Sequence, residues 1–218
     1  MNLLENYLNK MEKILKVQTD EIQYLINNDL VLRNIVFSLG DLEYEVIENE
    51  YKFLIFTIIG QMLSNKVGNV LYDRFEKLCN YDIQPKIVKD IGINNIKDIG
   101  ISSRKANAII CLTNELIKNN SYFNELRTKS DEEVINHLSK IDGIGAWTAK
   151  MILLFCFERS NVLPLEDGAF VAAFKQAYGF IDDTRDKRHI KEYCKRWEPF
   201  SSYAARYLYR AYDLGIIH

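Results

Sequence analysis

An all-α fold is what this sequence predicts, and three observations predict it. Apolar residues recur at spacings of three and four along most of the chain, as they do in helices with one buried face. Alternating apolar–polar runs joined by hairpin turns are scarce. Helix start signals recur as well: Ser130 stands three residues before Glu133 as a capping box, and Ser102 or Ser103 can cap the helix that follows. Of the 218 residues, 48% are hydrophobic and 13 are tyrosines, so a packed core is expected and disorder is not.

Taken in order, the first pattern lies between Thr19 and Gly40, where Ile22, Leu25, Ile26, Leu32, Ile35, Val36 and Leu39 share a helical stripe and Gly40 is a terminator. Leu42–Ile47 is the one modest strand candidate. Tyr51 to Ser64 is apolar throughout, and its length, with the amphipathic run Val67, Val70, Leu71, Phe75 and Leu78 behind it, favours a central helix over a strand. Further helices read as Ser103–Lys118, Asp131–Ser139, Ala146–Phe157, Asp167–Tyr178, Lys187–Trp197 and Ser202–Leu214. That makes roughly ten short helices. There is no internal repeat, low-complexity tract or linker, and a single compact domain over residues 1–218 is expected.

Composition narrows the function classes. The formal charge of −2 does not mark a nucleic-acid binder, but the distribution of charge decides that. Arg185, Lys187, Arg188, Lys191, Lys195 and Arg196, with Arg206 and Arg210 beyond them, read equally as a phosphate-tracking patch or as a mixed-charge solvated face. Cys79, Cys111, Cys156 and Cys194 are far apart, which argues against a zinc site or an iron–sulfur cluster and fits buried thiols in a reducing compartment. The N-terminus has no apolar signal core and no stretch is long enough to span a membrane, so a soluble intracellular protein is expected: cytoplasmic in a prokaryote, nuclear in a eukaryote.

The most informative stretch is Leu138-Ser-Lys-Ile-Asp-Gly-Ile-Gly-Ala-Trp-Thr-Ala-Lys-Met151. A capped helix ends, Gly143 and Gly145 make a tight turn with Ile144 as its anchor, and a new helix begins at Ala146. Amides at that helix start suit a DNA phosphate without reading a base. On the glycines alone, an ordinary helical hairpin explains the pattern as well.

This hairpin, about residues 132–157, and the following Asn161-Val-Leu-Pro-Leu-Glu-Asp-Gly168 resemble the helix–hairpin–helix DNA glycosylase superfamily, and within it the DNA-3-methyladenine glycosylase II branch. Three further segments agree in order: Ile58-Ile-Gly-Gln-Met-Leu-Ser64, Gly100-Ile-Ser-Ser-Arg-Lys-Ala106, and Trp197-Glu-Pro-Phe-Ser-Ser-Tyr-Ala-Ala-Arg-Tyr-Leu-Tyr209. The resemblance covers about Asp29 to Leu214. It implies a two-lobed helical fold with its active site in the cleft between lobes, in the compact form that lacks the extra N-terminal sheet domain of larger relatives.

The resemblance places the catalytic carboxylate at Asp167, not at its neighbour Glu166. Breaking an N-glycosidic bond builds positive charge on the sugar, which a fixed carboxylate stabilises most in the transition state; the same group can orient the attacking water. Asp at that position also suits a helix N-cap, and the two roles are compatible. Where lyases of the superfamily carry a nucleophilic lysine, this chain has Trp147, so hydrolysis without strand cleavage is expected; Lys150, one turn on, is the nearest amine. The resemblance gives Trp147 and Tyr209 as pocket walls, Tyr209 standing where the family often has a second tryptophan. For Trp147, core packing is an equal alternative. Tyr203 and Tyr207 read as core or surface.

The resemblance further gives Met62, beside Gln61, as the wedge that replaces a flipped base, although a Met in an apolar helix also reads as core. Gln61, Met62, Gly143, Gly145, Thr148 and Lys150 are the expected DNA contacts. A structural sodium or potassium ion on the carbonyls of Ser139, Ile141 and Ile144 is implied, with no required cofactor and no iron–sulfur cluster. The expected protein is a monomer that binds damaged double-stranded DNA and excises alkylated purines such as 3-methyladenine. The alternatives are a glycosylase for hypoxanthine or an oxidised purine, and a non-catalytic DNA-binding module.

Overall fold

A computed structural model describes residues 10–179 and 187–217; Arg185 of the basic stretch and the first nine residues lie outside them. The described residues form β1 (Lys10–Leu15), α1 (Asp20–Asn28), α2 (Leu30–Leu39), β2 (Leu42–Ile47), α3 (Glu50–Gly60), α4 (Asn65–Leu78), α5 (Pro85–Asp98), α6 (Ser103–Lys118), α7 (Tyr122–Arg127), α8 (Asp131–Leu138), α9 (Ala146–Phe155), α10 (Gly168–Tyr178), α11 (Lys187–Cys194), a 3-10 turn (Lys195–Trp197) and α12 (Ser201–Asp213). The fold is helical, as the periodicity requires. Among the described residues no helix is long and apolar enough to cross a membrane.

The chain divides into two compact units. One is continuous, Asn49–Ile152; the other is built from the described residues up to Glu48 and those from Leu153 onward.

In the continuous unit, α3 is the central helix. Its residues from Tyr51 to Ile59 are almost all buried, and it packs on α4 and α6, with α5 against α6. The capping box at Ser130 and Glu133 forms as read, and Ser102, not Ser103, caps α6. α5 and α7 go beyond the sequence reading. Gly92, at a positive φ of 75°, breaks the period inside α5, and the six residues of α7 are too few to show one. Of the four thiols, Cys79, Cys156 and Cys194 are buried as expected, but Cys111 is exposed on α6: it follows the buried pair Ala108 and Ile109 on the helix wheel by too little to share their face.

In the discontinuous unit, β2 pairs antiparallel with β1, Lys10 opposite Ile47 and Leu15 opposite Leu42. Lys10, Glu12 and Lys13 hide any alternation in β1, so only its partner strand reveals it. The apolar stripe from Thr19 to Gly40 is cut in two at Asp29, whose extended backbone ends α1 and starts α2. Its carboxylate is 1% exposed. Oδ1 accepts from Leu32 N at 3.0 Å, while Oδ2 accepts from Tyr178 Oη and from Trp197 Nε1, both at 2.8 Å. Three donors thus replace water around a buried charge, which is the condition for burying one. Burial first, then the Asp29 charge, hold the Tyr178 phenol far above its usual pKa, so it remains a donor.

Replacing Asp29 by alanine removes the α2 cap and leaves a buried indole N–H and a phenol without an acceptor. We expect a loss of about 3 kcal/mol or more in urea unfolding.

Candidate active site and nucleic-acid interface

In the continuous unit, α3 ends at Gly60 and the chain turns through Gln61-Met-Leu-Ser64 into α4. Met62 sits at a positive φ of 56° with a relative exposure of 101%, so the core reading of this methionine does not hold. The turn beneath it is tied down from two sides. Gln61 Nε2 donates to Gly143 O at 3.0 Å and to Thr148 Oγ1 at 3.1 Å. Lys105 Nζ, from α6, donates to Ile59 O at 2.8 Å, in the last turn of α3, and to Gln61 O at 2.7 Å, just beyond it. A cation at a helix C-terminus is favourable, and partial burial lowers the Lys105 pKa.

The hairpin's two glycines differ in kind. Gly143 has φ 93°, and a Cβ there would stand 2.7 Å from Ala108 Cβ, far inside van der Waals contact. It is glycine because the turn lies flush on α6. Gly145 is exposed, and nothing lies within 4 Å of where its Cβ would be. Ile141 and Ile144 are buried and anchor the turn between the glycines and α8. The Ile141 carbonyl accepts from Ile144 N at 3.0 Å.

Trp147 and Lys150 are half-buried on α9, so the indole is not simply core. Thr148 corrects the sequence reading. It is 1% exposed and its hydroxyl accepts from Gln61, so its side chain holds the turn and does not reach DNA. Gln61 is likewise committed to the hairpin through its amide.

In the discontinuous unit, the segment leading to Asp167 is stitched to the start of α12. Asn161 Oδ1 accepts from Ser201 Oγ at 2.7 Å, and Ser202 Oγ accepts from Val162 N at 2.8 Å. A turn closed by Asp167 N donating to Pro164 O, 2.9 Å, then delivers Asp167 to the N-cap of α10, where Oδ1 accepts from Phe170 N at 2.9 Å. Asp167 is half-buried and Glu166 is exposed. Tyr209 is 6% exposed, with its ring edge-on to Phe170. Its buried hydroxyl makes no hydrogen bond of ordinary geometry among the described residues. Burial, then the charge of Asp167, hold its pKa well above the usual range. So Tyr209 backs the carboxylate and offers a base little open ring, which corrects its reading as a stacking wall.

Arg206 leaves the basic patch altogether. It is buried, its guanidinium lies over the Tyr44 and Phe155 rings, and Nη2 donates to Leu154 O at 2.6 Å. Lys195 pairs with Glu192 and Arg196 lies over Tyr193, while Lys187, Lys191 and Arg210 are exposed, so the mixed-charge face is the better description. Tyr207 is core and donates to Gly40 O.

No family model matches the chain. Solved structures do. The crystal structure of a DNA-3-methyladenine glycosidase from Bacillus halodurans superposes with a TM-score of 0.82 at 25% identity, over 94% of each chain. A 3-methyladenine DNA glycosylase of Schizosaccharomyces pombe, in complex with abasic DNA, has the same fold, with a TM-score of 0.80 at 24% identity over 92% of this chain and all of that one. YfjP of Bacillus subtilis is 29% identical over 180 residues, which are 79% of this chain; the match spans 61% of YfjP.

This chain has the helix–hairpin–helix DNA glycosylase fold.

The fold shows which parts of the site a sequence can carry. The hairpin glycines and Asp167 are legible because backbone geometry and capping demand particular residue types. Lys105 was visible only as one letter of a motif. Its role depends on α6 lying against the end of α3, a tertiary fact.

The contrast between the glycines is testable. Gly143→Ala meets both a positive φ and the Ala108 methyl, and should cost about 2–3 kcal/mol in urea unfolding. Gly145→Ala should leave the unfolding midpoint unchanged.

Proposed function

We propose that this protein is a monofunctional DNA glycosylase that flips an alkylated purine such as 3-methyladenine out of duplex DNA and hydrolyses its bond to deoxyribose. The observation that carries the reading is Asp167: a half-buried carboxylate, fixed through one oxygen by the cap of its own helix and backed by a buried phenol. A carboxylate held in this way needs no reorganisation to meet the positive charge that grows on the sugar as the bond breaks. It can also orient the incoming water. A cationic alkylated base is already a good leaving group, so one carboxylate is enough chemistry. With Trp147 where a lyase has its lysine, no amine stands there for a Schiff base, and the product is an abasic site.

The remaining residues take binding roles. The amides at Gly145 and the start of α9 receive a backbone phosphate. The exposed side chain of Met62 fills the space a flipped base leaves. The part-exposed indole of Trp147 offers a flat face that favours a cationic base. Lys150 adds charge on the hairpin's second helix. The carbonyls of Ser139, Ile141 and Ile144 would hold a sodium or potassium ion, which when bound supplies positive charge behind the phosphate. The match to the curated relative covers only part of that protein's length, and the reading rests on this chain's own residues together with the solved relatives.

The test compares release of methylated base from alkylated duplex DNA by wild type and by Asp167→Asn. Asparagine caps helices as well as aspartate does, so folding should be kept while activity falls about 100-fold or more. Equal activity overturns the assignment, and salt-sensitive DNA binding without base release by wild type would mark a non-catalytic module. Gly145→Ala, with its new methyl in the path of the phosphate, should weaken duplex binding about tenfold with folding intact.

A further inference from the structure

The hydrogen bonds under Met62 assign a role to a residue that does not face the base. We infer that Lys105 is a positioning residue that holds the Met62 turn at its working height, and that Lys105 and Gln61 together make the turn and the hairpin move as one body. The inference rests on the reading of Met62 as the wedge.

The geometry is specific. A positive φ at a non-glycine residue costs about 1–3 kcal/mol and persists only where its surroundings impose it. Met62 has φ 56° and no packing of its own, since its side chain is fully exposed. What imposes the turn lies in the neighbouring backbone. The Lys105 ammonium grips the carbonyls of Ile59 and Gln61, one before and one after the helix end, so it fixes the direction in which the chain leaves α3. Gln61 then reaches the other way, to the Gly143 carbonyl and the Thr148 hydroxyl. Gln61, the residue before Met62, is thus held by one hydrogen bond from the Lys105 ammonium and two of its own to the hairpin, while the same ammonium also holds Ile59. A wedge must bear the force of separating stacked bases, and an exposed side chain on an unclamped turn would yield instead. An ordinary helix-capping lysine would need only a carbonyl of the last turn. Lys105 also takes the carbonyl of Gln61, which lies outside α3.

The experiment binds wild type, Met62→Ala, Lys105→Met, Lys105→Arg and the Met62→Ala/Lys105→Met double variant to a duplex that carries a stable abasic analogue opposite 2-aminopurine. The fluorescence of that base rises when it is unstacked, and thermal melts by circular dichroism are recorded in parallel. Wild type should raise the fluorescence and Met62→Ala should abolish the rise. Lys105→Met should cut the rise about fivefold while affinity stays within about threefold, and the double variant should be no worse than Met62→Ala alone, since both changes act on one contact. Lys105→Arg, which keeps the charge and the donors, should restore most of the rise. A wild-type rise from folded Lys105→Met overturns the inference. If Lys105→Met melts below the assay temperature, Lys105→Gln, with a shorter neutral side chain, takes its place, and a full rise from that protein overturns it equally. Failure of the underlying reading looks different: wild type does not bind the abasic duplex, or Met62→Ala fluoresces like wild type. Either result removes the wedge, and this inference with it.

Discussion

The contact on which the continuous unit depends is the flush seating of Gly143 on Ala108. Because no side chain separates them, the hairpin turn lies directly on α6. One turn earlier on the same helix, Lys105 holds the end of α3, and from there Gln61 returns to the Gly143 carbonyl. The path closes on itself: hairpin, α6, end of α3, hairpin. Each link is short and polar or sterically exact in type, so a change at any one of them is felt at the others. A methyl group at position 143 would open the ring at its tightest point, which is why two apolar-looking motifs so far apart in sequence behave as a single surface feature.

The discontinuous unit uses aspartate twice, to opposite ends. Asp29 and Asp167 both cap helices, each accepting the amide three residues on. Asp29 is then saturated: its other oxygen takes a phenol and an indole, and the carboxylate is sealed from water. Its charge does structural work only, drawing α2, α10 and the 3-10 turn to one point. Asp167 is half-buried, and its charge raises the pKa of the Tyr209 phenol. The same residue type at the same helical position is thus buried almost completely in one case and only half-buried in the other.

How much of this could be read in advance follows the range of the interactions involved. Local chemistry was legible: the capping box at Ser130, the helix start at Ser103, Gly143 as a turn residue and Asp167 as a cap all depend on neighbours within a few positions. Residues whose meaning is tertiary were not. Asp29 stood unnoticed inside an apolar stripe because its partners lie 149 and 168 positions away. Arg206 was grouped with a basic surface because nothing nearby in sequence says that Tyr44 and Phe155 enclose it. Met62 is exposed, as its reading as a wedge requires, whereas Thr148, expected to contact DNA, is buried because its hydroxyl accepts from Gln61.

The separation between Asp29 and its partners bears on how the chain is made. Synthesis delivers β1, α1, α2 and β2 first, yet the indole and phenol that satisfy Asp29, and the helix α12 that packs on α2, arrive only with the last quarter of the sequence. The continuous unit between them can complete itself from its own residues while the ribosome is still at work. The opening segment cannot, and it waits with its apolar stripe uncovered through most of translation. Long-range pairing of this kind slows folding and prolongs exposure of sticky surface.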